Sequence, residues 1–384
     1  MRRVTGRIIL SDGDAPAEAF PGAELAELAS EILRDHADVA LQYGPLEGYP
    51  PLRKLVASWL VAEGVNATED EVVIVTGAKQ NLDITSRAFC RPGDRIITGA
   101  PTYMVALRIF KRNGAVVETV PNDANGLDVD ALDALLTRAS RTGRPLPKLI
   151  YDVPDIHNPT GAVLSEDRRE KLVGLASHYG VTVLEDNPYR WTRLDGTPAR
   201  PLKHFDKDGV VVSTGTFAKI LGPGLRLGWV HAKREILNLI EPYKADMGTS
   251  PLCQMLAYEF YKRPGSLERH LTRIRAALRP KREAMLQALE MDFTGIASWT
   301  RPIGGYYIWL TLRDGIDTDV VATEAAAAGV TCFNGSIFFA SNNPSHQNLR
   351  LCYSFESPDR IRDGVARIAR IAKGQVAGVV ASSR

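Results

Sequence analysis

The stretch that decides the fold is GVVVSTGTFAKILGPGLRLGW, residues 209–229. It opens with an apolar run, 210–212, and continues through small hydroxyl residues to Lys219. Lysine is by habit a surface residue, and a surface lysine needs no buried strand before it. A Gly-Pro-Gly turn follows, and Arg226 comes shortly after that turn. The pattern indicates that an amine and an anion-binding arginine are held close together at the end of a strand.

Similar apolar runs alternate with helical patterns through the middle of the chain. They are rich in Val and Ile and most end in Gly, Pro, Asp or Asn, which is typical of buried strands. The runs are EVVIVTG (71–77), DRIITGAP (94–101), AVVETVP (115–121), KLIYDVP (148–154), VTVLEDNP (181–188) and GVVVSTG (209–215). Between them, segments such as 128–139 place leucines on one helical face. This alternation predicts an α/β fold with a largely parallel sheet wrapped by helices.

The pattern changes after about residue 235. Long charged helical segments such as 266–290 lead into a strand-rich part that contains GGYYIWLTL (304–312) and LRLCYSF (349–355). The shift predicts a second, smaller α+β domain.

Composition excludes several classes of protein. The 384 residues are 45% hydrophobic, enough for a large core, and 47 Lys plus Arg nearly balance 45 Asp plus Glu. This balance argues against a nucleic-acid partner. The four scattered cysteines have no CxxC spacing, so we expect no disulfide framework and no metal site. No apolar segment approaches the roughly 18 residues of a membrane span, and the N-terminal apolar run is too short for a signal peptide. We therefore expect a cytoplasmic protein without a membrane partner.

Polar side chains follow the ends of successive predicted strands. In open α/β sheets ligands bind beyond the carboxyl ends of the strands. The residues at these ends are Gly77, Ala78 and Lys79, then Tyr103, then Asn158, then Asp186 with Tyr189, and finally Thr216, Lys219 and Arg226. Each alone has an ordinary explanation as a cap, a turn, a core side chain or a surface charge. Their order and chemical types together indicate a ligand site.

This set matches the needs of pyridoxal phosphate. The aldehyde of that cofactor requires a lysine for a Schiff base, and its pyridinium nitrogen requires a carboxylate. Its phosphate calls for an arginine and backbone donors. Its ring needs an aromatic stack, and its phenolic oxygen needs hydrogen-bond donors. The sequence therefore predicts a pyridoxal-phosphate enzyme.

Eight motifs, taken in order, resemble those of the class I/II aminotransferases, which are fold-type I pyridoxal-phosphate enzymes. They are LQYGPLEGYPPLR (41–53), TGAKQNLD (76–83), APTY (100–103), YDVPDIHNPTG (151–161), LEDNPY (184–189), TFAKILGPGLRLGW (216–229), PIGGYYIWL (302–310) and LRLCYSF (349–355). Within the family the chain is most similar to the aromatic, kynurenine and α-aminoadipate transaminases. The resemblance implies a large cofactor domain (36–275) with a mixed, mostly parallel seven-stranded sheet. It also implies a small α+β domain (276–384) and an N-terminal segment (1–35) packed on that small domain.

The resemblance also implies a role for each motif residue. Lys219 forms the internal aldimine and moves the proton, and Asp186 pairs with the pyridine nitrogen. Asn158 and Tyr189 hold the phenolic oxygen, and Tyr103 stacks on the ring. The residues implied to bind the phosphate are Gly77, Ala78 and Lys79 through their backbone, Thr216, Arg226 and, across a subunit interface, Tyr43. The last contact implies a homodimer whose active site is shared between subunits.

The substrate site combines implied contacts with departures from the family pattern. Arg350 is implied to clamp the α-carboxylate of the substrate, beside Asn158 and Gly13. The family's GGLPDPELFP reads here DGDAPAEAFP (12–21), so that Asp12 and Asp14 replace a glycine and an apolar residue. These acids either attract a cationic side chain such as a guanidinium or amine, or are solvated loop carboxylates. A further departure is Ala218, which stands where the family often has a serine.

Three functions fit a chain of this kind. The first is ping-pong transfer of an amino group from an L-amino acid, with a basic or unusual one as a candidate, to a 2-oxo acid such as 2-oxoglutarate. The second is another reaction of the same cofactor, by an oxidase, lyase, decarboxylase or cyclase, since all share Lys219 and Asp186. An intact Arg350 favours aminotransfer. The third is an effector domain of a transcription regulator, but the first motif begins so early that we expect no DNA-binding domain before it.

Overall fold

Strands and helices alternate through the first two thirds of the structure, a computed structural model that describes residues 6–246, 248–341 and 343–382, with side chains up to residue 375. The α-helices are α1 Gly22–Asp35, α2 Ala37–Ala40, α3 Pro50–Ala62, α4 Ala78–Phe89, α5 Met104–Arg112, α6 Val129–Thr142, α7 Glu166–Tyr179, α8 Leu202–Phe205, α9 Arg234–Ile240, α10 Pro251–Tyr261, α11 Ser266–Phe293, α12 Thr318–Ala327 and α13 Pro358–Ser382. The strands are β1 Ile8–Ile9, β2 Val72–Val75, β3 Arg95–Ala100, β4 Val116–Asp123, β5 Gly126–Leu127, β6 Leu149–Asp152, β7 Thr182–Asp186, β8 Val211–Thr216, β9 Gly228–His231, β10 Ala297–Trp299, β11 Tyr307–Leu312, β12 Val330–Thr331, β13 Phe333–Asn334 and β14 Asn348–Cys352. Within these bounds, no helix is both long and apolar enough to cross a lipid bilayer.

The large sheet has eight strands in the order β2-β9-β8-β7-β6-β3-β4-β5. Its centre, from β8 to β4, is parallel, whereas β9 and the two-residue β5 pair antiparallel with their neighbours. The predicted α/β fold class is confirmed, and all six apolar runs are strands. The seven-stranded sheet of the prediction is completed by β9, which sequence analysis did not mark, and β5 adds an eighth, short strand.

Both faces of the large sheet are covered by helices. Successive residues of a strand point to opposite faces, and the buried neighbours Val183 and Leu184 accordingly belong to two different hydrophobic clusters. Val211 and Val212 on the next strand divide in the same way. Burial on both faces explains why these strands read as continuous apolar runs rather than as alternating ones.

A four-stranded antiparallel sheet, β10-β11-β14-β13, forms the second layer of structure and packs with α11 and α13. The N-terminal strand β1 pairs in parallel with β12, and α1 packs against α10. Helix α11, residues Ser266–Phe293, runs without a break through the predicted domain boundary between 275 and 276.

A buried ion cluster holds the loop that follows β6. Asp155 is completely buried and accepts hydrogen bonds from Arg169, at 3.0 and 3.2 Å, and from Arg190, at 2.7 Å. Burial by itself would raise the pKa of Asp155, but the two guanidinium groups more than offset this and lower it. Arg169 also donates to the backbone oxygens of Pro154 and Leu164. The loop that carries Asn158 is thereby fixed against α7 and the segment after β7.

Candidate active site

A cavity of about 420 Å³ lies where the carboxyl ends of the parallel strands face the small sheet, within the size range of small-molecule sites. Fourteen of the fifteen predicted site residues line it, namely Asp12, Gly13, Asp14, Gly77, Ala78, Lys79, Tyr103, Asn158, Asp186, Tyr189, Thr216, Lys219, Arg226 and Arg350. Ten of them meet because the strands of the large sheet that precede them end at the same edge, whereas Asp12, Gly13 and Asp14 come from the N-terminal segment and Arg350 from β14. The fifteenth, Tyr43, does not line the cavity of its own chain.

Lys219 stands in a short turn directly after β8. The hydroxyl oxygen of Thr216 accepts a hydrogen bond from the backbone N–H of Ala218 and so caps this turn. The Lys219 Nζ donates to the backbone oxygen of Gly13 at 2.6 Å. Burial lowers the pKa of Lys219 from 10.5 to about 8. A minor but appreciable fraction of the amine is therefore neutral near physiological pH, as a nucleophile or base requires.

Asp186 ends the central strand β7 and is buried. Its Oδ2 accepts a hydrogen bond from the Tyr151 hydroxyl at 3.0 Å, whereas its buried Oδ1 has no hydrogen-bond partner among the described residues. Burial raises the pKa of Asp186 to about 7. A buried acceptor without a partner is costly, and a cationic N–H donor such as a pyridinium nitrogen would satisfy it. The unpartnered Asp186 oxygen therefore fits the pyridinium nitrogen of pyridoxal phosphate.

The first turn of α4 and Arg226 form the anion-binding end of the cavity. Gly77 precedes the helix with φ of 80°, and a side chain there would place a Cβ 2.9 Å from the Arg226 guanidinium. A Cβ on Gly228 would lie 2.8 Å from the backbone nitrogen of Ala78. Arg226 itself has the left-handed φ of 52°, which is uncommon for a residue with a side chain. Free N–H groups of a helix start beside an arginine are suited to a phosphate.

Arg350 on β14 is only 2% exposed and is held from several sides. Its Nη1 donates to Oδ1 of Asn158 at 3.0 Å and its Nη2 to the backbone oxygen of Ser11 at 2.6 Å. Three aromatic rings surround its guanidinium carbon, those of Tyr307 at 3.9 Å, Phe333 at 4.9 Å and Phe338 at 5.0 Å. A rigid, buried guanidinium of this kind is suited to bidentate binding of a carboxylate.

Sequence analysis missed Tyr151, which orients Asp186, and Tyr307, which lies between Arg350 and Tyr189. Both stand inside stretches that were recognised, KLIYDVP and PIGGYYIWL. Tyr151 lies on β6, and Asp186 lies on the neighbouring strand β7. Only the pairing of these two strands brings the two side chains together. An aromatic hydroxyl inside an apolar strand that ends at a predicted site is a signal that could have found either residue.

The N-terminal segment from α1 to Leu46 exposes an unusual number of apolar side chains. Tyr43 is 79% exposed and Leu41 is 71% exposed, and Leu33, Val39 and Leu46 are also exposed. Scattered exposed apolar residues are normal, but a group within one segment marks an interaction surface.

Several known proteins of one family are similar to this chain over nearly its whole length. The sequence profile of the family described as aminotransferase class I and II matches residues 8–368. The aromatic-amino-acid aminotransferase 1 of Thermococcus litoralis is 36% identical over 376 residues, covering 97% of this chain and 89% of the relative. The Pyrococcus horikoshii kynurenine aminotransferase, solved in complex with PMP, superimposes with a TM-score of 0.92 at 35% identity, covering 98% of this chain and 95% of its own. The α-aminoadipate aminotransferase of Thermus thermophilus, complexed with N-(5'-phosphopyridoxyl)-L-leucine, does so with a TM-score of 0.90 at 34% identity, covering 97% and 94%.

We predict that the Lys219 amine titrates near pH 8 in the cofactor-free protein. Only the neutral amine is nucleophilic, so its acylation by trace acetic anhydride should rise as the pH passes through about 8. Mass spectrometry of the labelled peptide gives the midpoint, and exposed lysines, whose ordinary pKa is about 10.4, are the internal reference. A Lys219 curve that coincides with those of the exposed lysines would contradict the prediction.

Proposed function

This chain belongs to the aminotransferase class I and II family, and we propose that its cavity holds pyridoxal phosphate and an L-amino acid through the residues derived below. The chain is an aminotransferase that moves an amino group between an amino acid and a 2-oxo acid, and the family implies the cofactor. The observation that carries the residue assignments is the buried Asp186 carboxylate, whose free Oδ1 shares one cavity with the Lys219 amine.

When bound, pyridoxal phosphate supplies an electron sink that stabilises negative charge at the Cα of the amino acid. Asp186 holds the pyridine nitrogen in its protonated form, because the buried carboxylate gains the N–H donor that it lacks. Arg226 and the first N–H groups of α4 hold the phosphate, with Thr216 and the backbone of Lys79 beside them. Tyr103 would stack on the ring, and Asn158 and Tyr189 would hold its phenolic oxygen.

Lys219 serves as the base. A group with a pKa of about 8 loses and regains a proton readily near neutral pH. In this role the Nζ would take the proton from Cα of the amino acid and would hold it inside the cavity for its return. The hydrogen bond from Nζ to Gly13 shows that the amine reaches the N-terminal segment, which lies over the cavity.

Arg350 positions the substrate. Its guanidinium binds the α-carboxylate through two parallel N–H groups, and the aromatic rings around it prevent it from turning. Asn158, which is bonded to Nη1, links this clamp to the cofactor's phenolic oxygen. The amino acid is thereby oriented with its Cα–H towards Lys219, which converts the proton transfer into a step within one complex.

We predict a complete half-reaction in the absence of an acceptor. Holoenzyme mixed with a single amino acid should lose its visible absorbance band and release one oxo acid per active site. Asp186→Asn should lower kcat by roughly 10²–10³-fold, since it removes the charge that opposes the pyridinium. Stopped-flow absorbance and oxo-acid quantification measure both effects.

Other results of that experiment lead elsewhere. Turnover that continues without acceptor and consumes oxygen or releases CO₂ would assign the chain to another reaction of the same cofactor. A protein that shows no visible band after addition of pyridoxal phosphate would overturn the cofactor assignment itself.

For the substrate side chain we propose a cationic group that meets Asp12 and Asp14 at the rim of the cavity. Both residues line the cavity, on either side of Gly13, and Asp12 is exposed. The carboxylates at the rim complement a guanidinium or an amine on the substrate. The cationic side chains deeper in the cavity, Arg226 and Arg350, would instead bind the cofactor phosphate and the α-carboxylate of the substrate. The family pattern quoted above has a glycine and an apolar residue in place of these two acids.

We predict that Asp12→Asn and Asp14→Asn lower kcat/KM for arginine and lysine by roughly two- to fivefold, as for a partly solvated ion pair, and leave leucine unchanged. Asp130→Asn, which removes an exposed carboxylate on α6 bonded to Lys171, is the matched control. Equal changes for basic and neutral amino acids would exclude a role for these carboxylates in specificity.

We also propose a cytoplasmic homodimer in which Tyr43 reaches the phosphate of the neighbouring subunit. Tyr43 is exposed and lies away from its own cavity, within the apolar segment that ends at Leu46. An exposed apolar segment of this kind is what a second copy would cover.

Light scattering should give twice the 42.0 kDa mass of one chain. Leu41→Asp should produce the single-chain mass and weaken cofactor retention, because a charge would be buried in the interface. Met291→Asp places the same charge at another exposed apolar position, 78% exposed on α11, and should leave the dimer intact. A wild-type protein with the mass of one chain would overturn the proposal.

A further inference from the structure

Tyr307 at the start of β11 places a hydroxyl group beside Tyr189. The two phenolic oxygens are 3.2 Å apart, and the rings meet edge to face with centroids separated by 5.7 Å. Both side chains are buried, and both line the cavity. Besides packing against Arg350, Tyr307 thus touches a residue assigned to the cofactor.

The Tyr307 hydroxyl is held in place from several sides. Its ring lies against the guanidinium of Arg350, at 3.9 Å, and its backbone pairs with Cys352 in the small sheet. A Cβ on Gly13 would lie 1.7 Å from the hydroxyl oxygen, so only a glycine can pass there. The hydroxyl therefore fills the space between Tyr189 and the N-terminal segment and cannot swing away from either.

In the structure the Tyr189 hydroxyl donates to that of Tyr307, and counting protons gives the direction that this contact takes when Tyr189 donates to a ligand instead. A tyrosine hydroxyl has one proton to donate and can accept two hydrogen bonds. Within the described part of the chain, neither the Tyr189 nor the Tyr307 hydroxyl forms any hydrogen bond except the one between them. If Tyr189 gives its proton to a ligand oxygen in the cavity, its own oxygen is left as an acceptor and Tyr307 becomes the donor.

We propose that Tyr307 is a positioning residue whose hydroxyl donates to Tyr189 and thereby strengthens the hydrogen bond from Tyr189 to the phenolic oxygen of the cofactor. This inference rests on the proposed function. Hydrogen bonds in a chain polarise one another, so a hydroxyl that accepts a bond donates more strongly. The titratable groups that face Tyr307 are Arg350, Cys352, Tyr189, Asp12, Tyr103 and Tyr306.

The strength of this donation has a spectroscopic consequence. A hydrogen bond to the phenolic oxygen stabilises its anionic form, so the neighbouring nitrogen that joins Lys219 holds its proton less tightly. Weaker donation from Tyr189 therefore raises the pKa that is read from the visible absorbance of the holoenzyme.

The test is a pH titration of the visible band in four holoenzymes: wild type, Tyr307→Phe, Tyr189→Phe and the double variant. Tyr189→Phe should raise the pKa by about one unit or more, as for loss of a bond to a charged oxygen. Tyr307→Phe should raise it by roughly a few tenths of a unit. The double variant should match Tyr189→Phe alone, because Tyr307 acts only through Tyr189.

Tyr353→Phe is the matched control. It also removes a buried tyrosine hydroxyl in the small sheet region, but that hydroxyl donates to the backbone oxygen of Gly304 at 2.8 Å, and its titration should coincide with that of the wild type. KM gives a second readout, since Tyr307→Phe keeps the ring against Arg350 and should leave KM for the amino acid unchanged, whereas Tyr307→Leu should raise it.

An unchanged pKa in Tyr307→Phe would overturn the inference. The same shift from Tyr307→Phe in the wild-type and Tyr189→Phe backgrounds would also overturn it, since Tyr307 would then act independently of Tyr189. In both cases the visible band would still be present. A wild-type protein without that band would instead contradict the proposed function, so the two failures are distinguishable.

Discussion

The active site is arranged around a buried carboxylate that has a hydrogen-bond partner for only one of its two oxygens. Asp186 lies in the centre of the large sheet with one oxygen bonded to Tyr151 and the other without a described partner. Nearby, Lys219 is half-buried, and the loss of water around the two groups moves their pKa values towards neutrality from opposite sides. Both ionised forms are therefore costly in the protein alone. A ligand with a cationic ring nitrogen and a reactive aldehyde removes both costs, which is a physical reason for its binding here.

The N-terminal segment joins the two sheets at this point. Leu10 accepts a backbone hydrogen bond from Cys352, Ser11 accepts one from Arg350, and Gly13 accepts one from Lys219. The backbone oxygen of Asp14 accepts a further bond from Ser354. Four backbone oxygens of this segment are thus bonded to the small sheet or to Lys219. The same few residues therefore cover the cavity and hold Arg350, the carboxylate clamp, in place.

Sequence analysis succeeded where a residue's role follows from its neighbours along the chain. The six apolar runs are strands because continuous Val- and Ile-rich segments are buried on both faces, and the polar residues after them meet because parallel strands end at one edge. It did not identify β9, which pairs antiparallel with β8 after an irregular connection, residues 217–227, that has two 3-10 turns and no α-helix to mark a crossover. It also missed Tyr151 and Tyr307, whose hydroxyls act on residues far away in sequence, across strand pairs or between sheets.

The sequence by itself determined the fold class, the family and fourteen residues of the cavity, since periodicity, strand ends and ordered motifs are local properties of the chain. Tertiary structure alone decided which oxygen of Asp186 is free, how far burial moves the pKa of Lys219, and which side chains hold Arg350 and Tyr189 in place. These properties depend on the distance between groups and on the removal of water around them. Both arise only when segments far apart in the sequence pack together, and no local pattern encodes them.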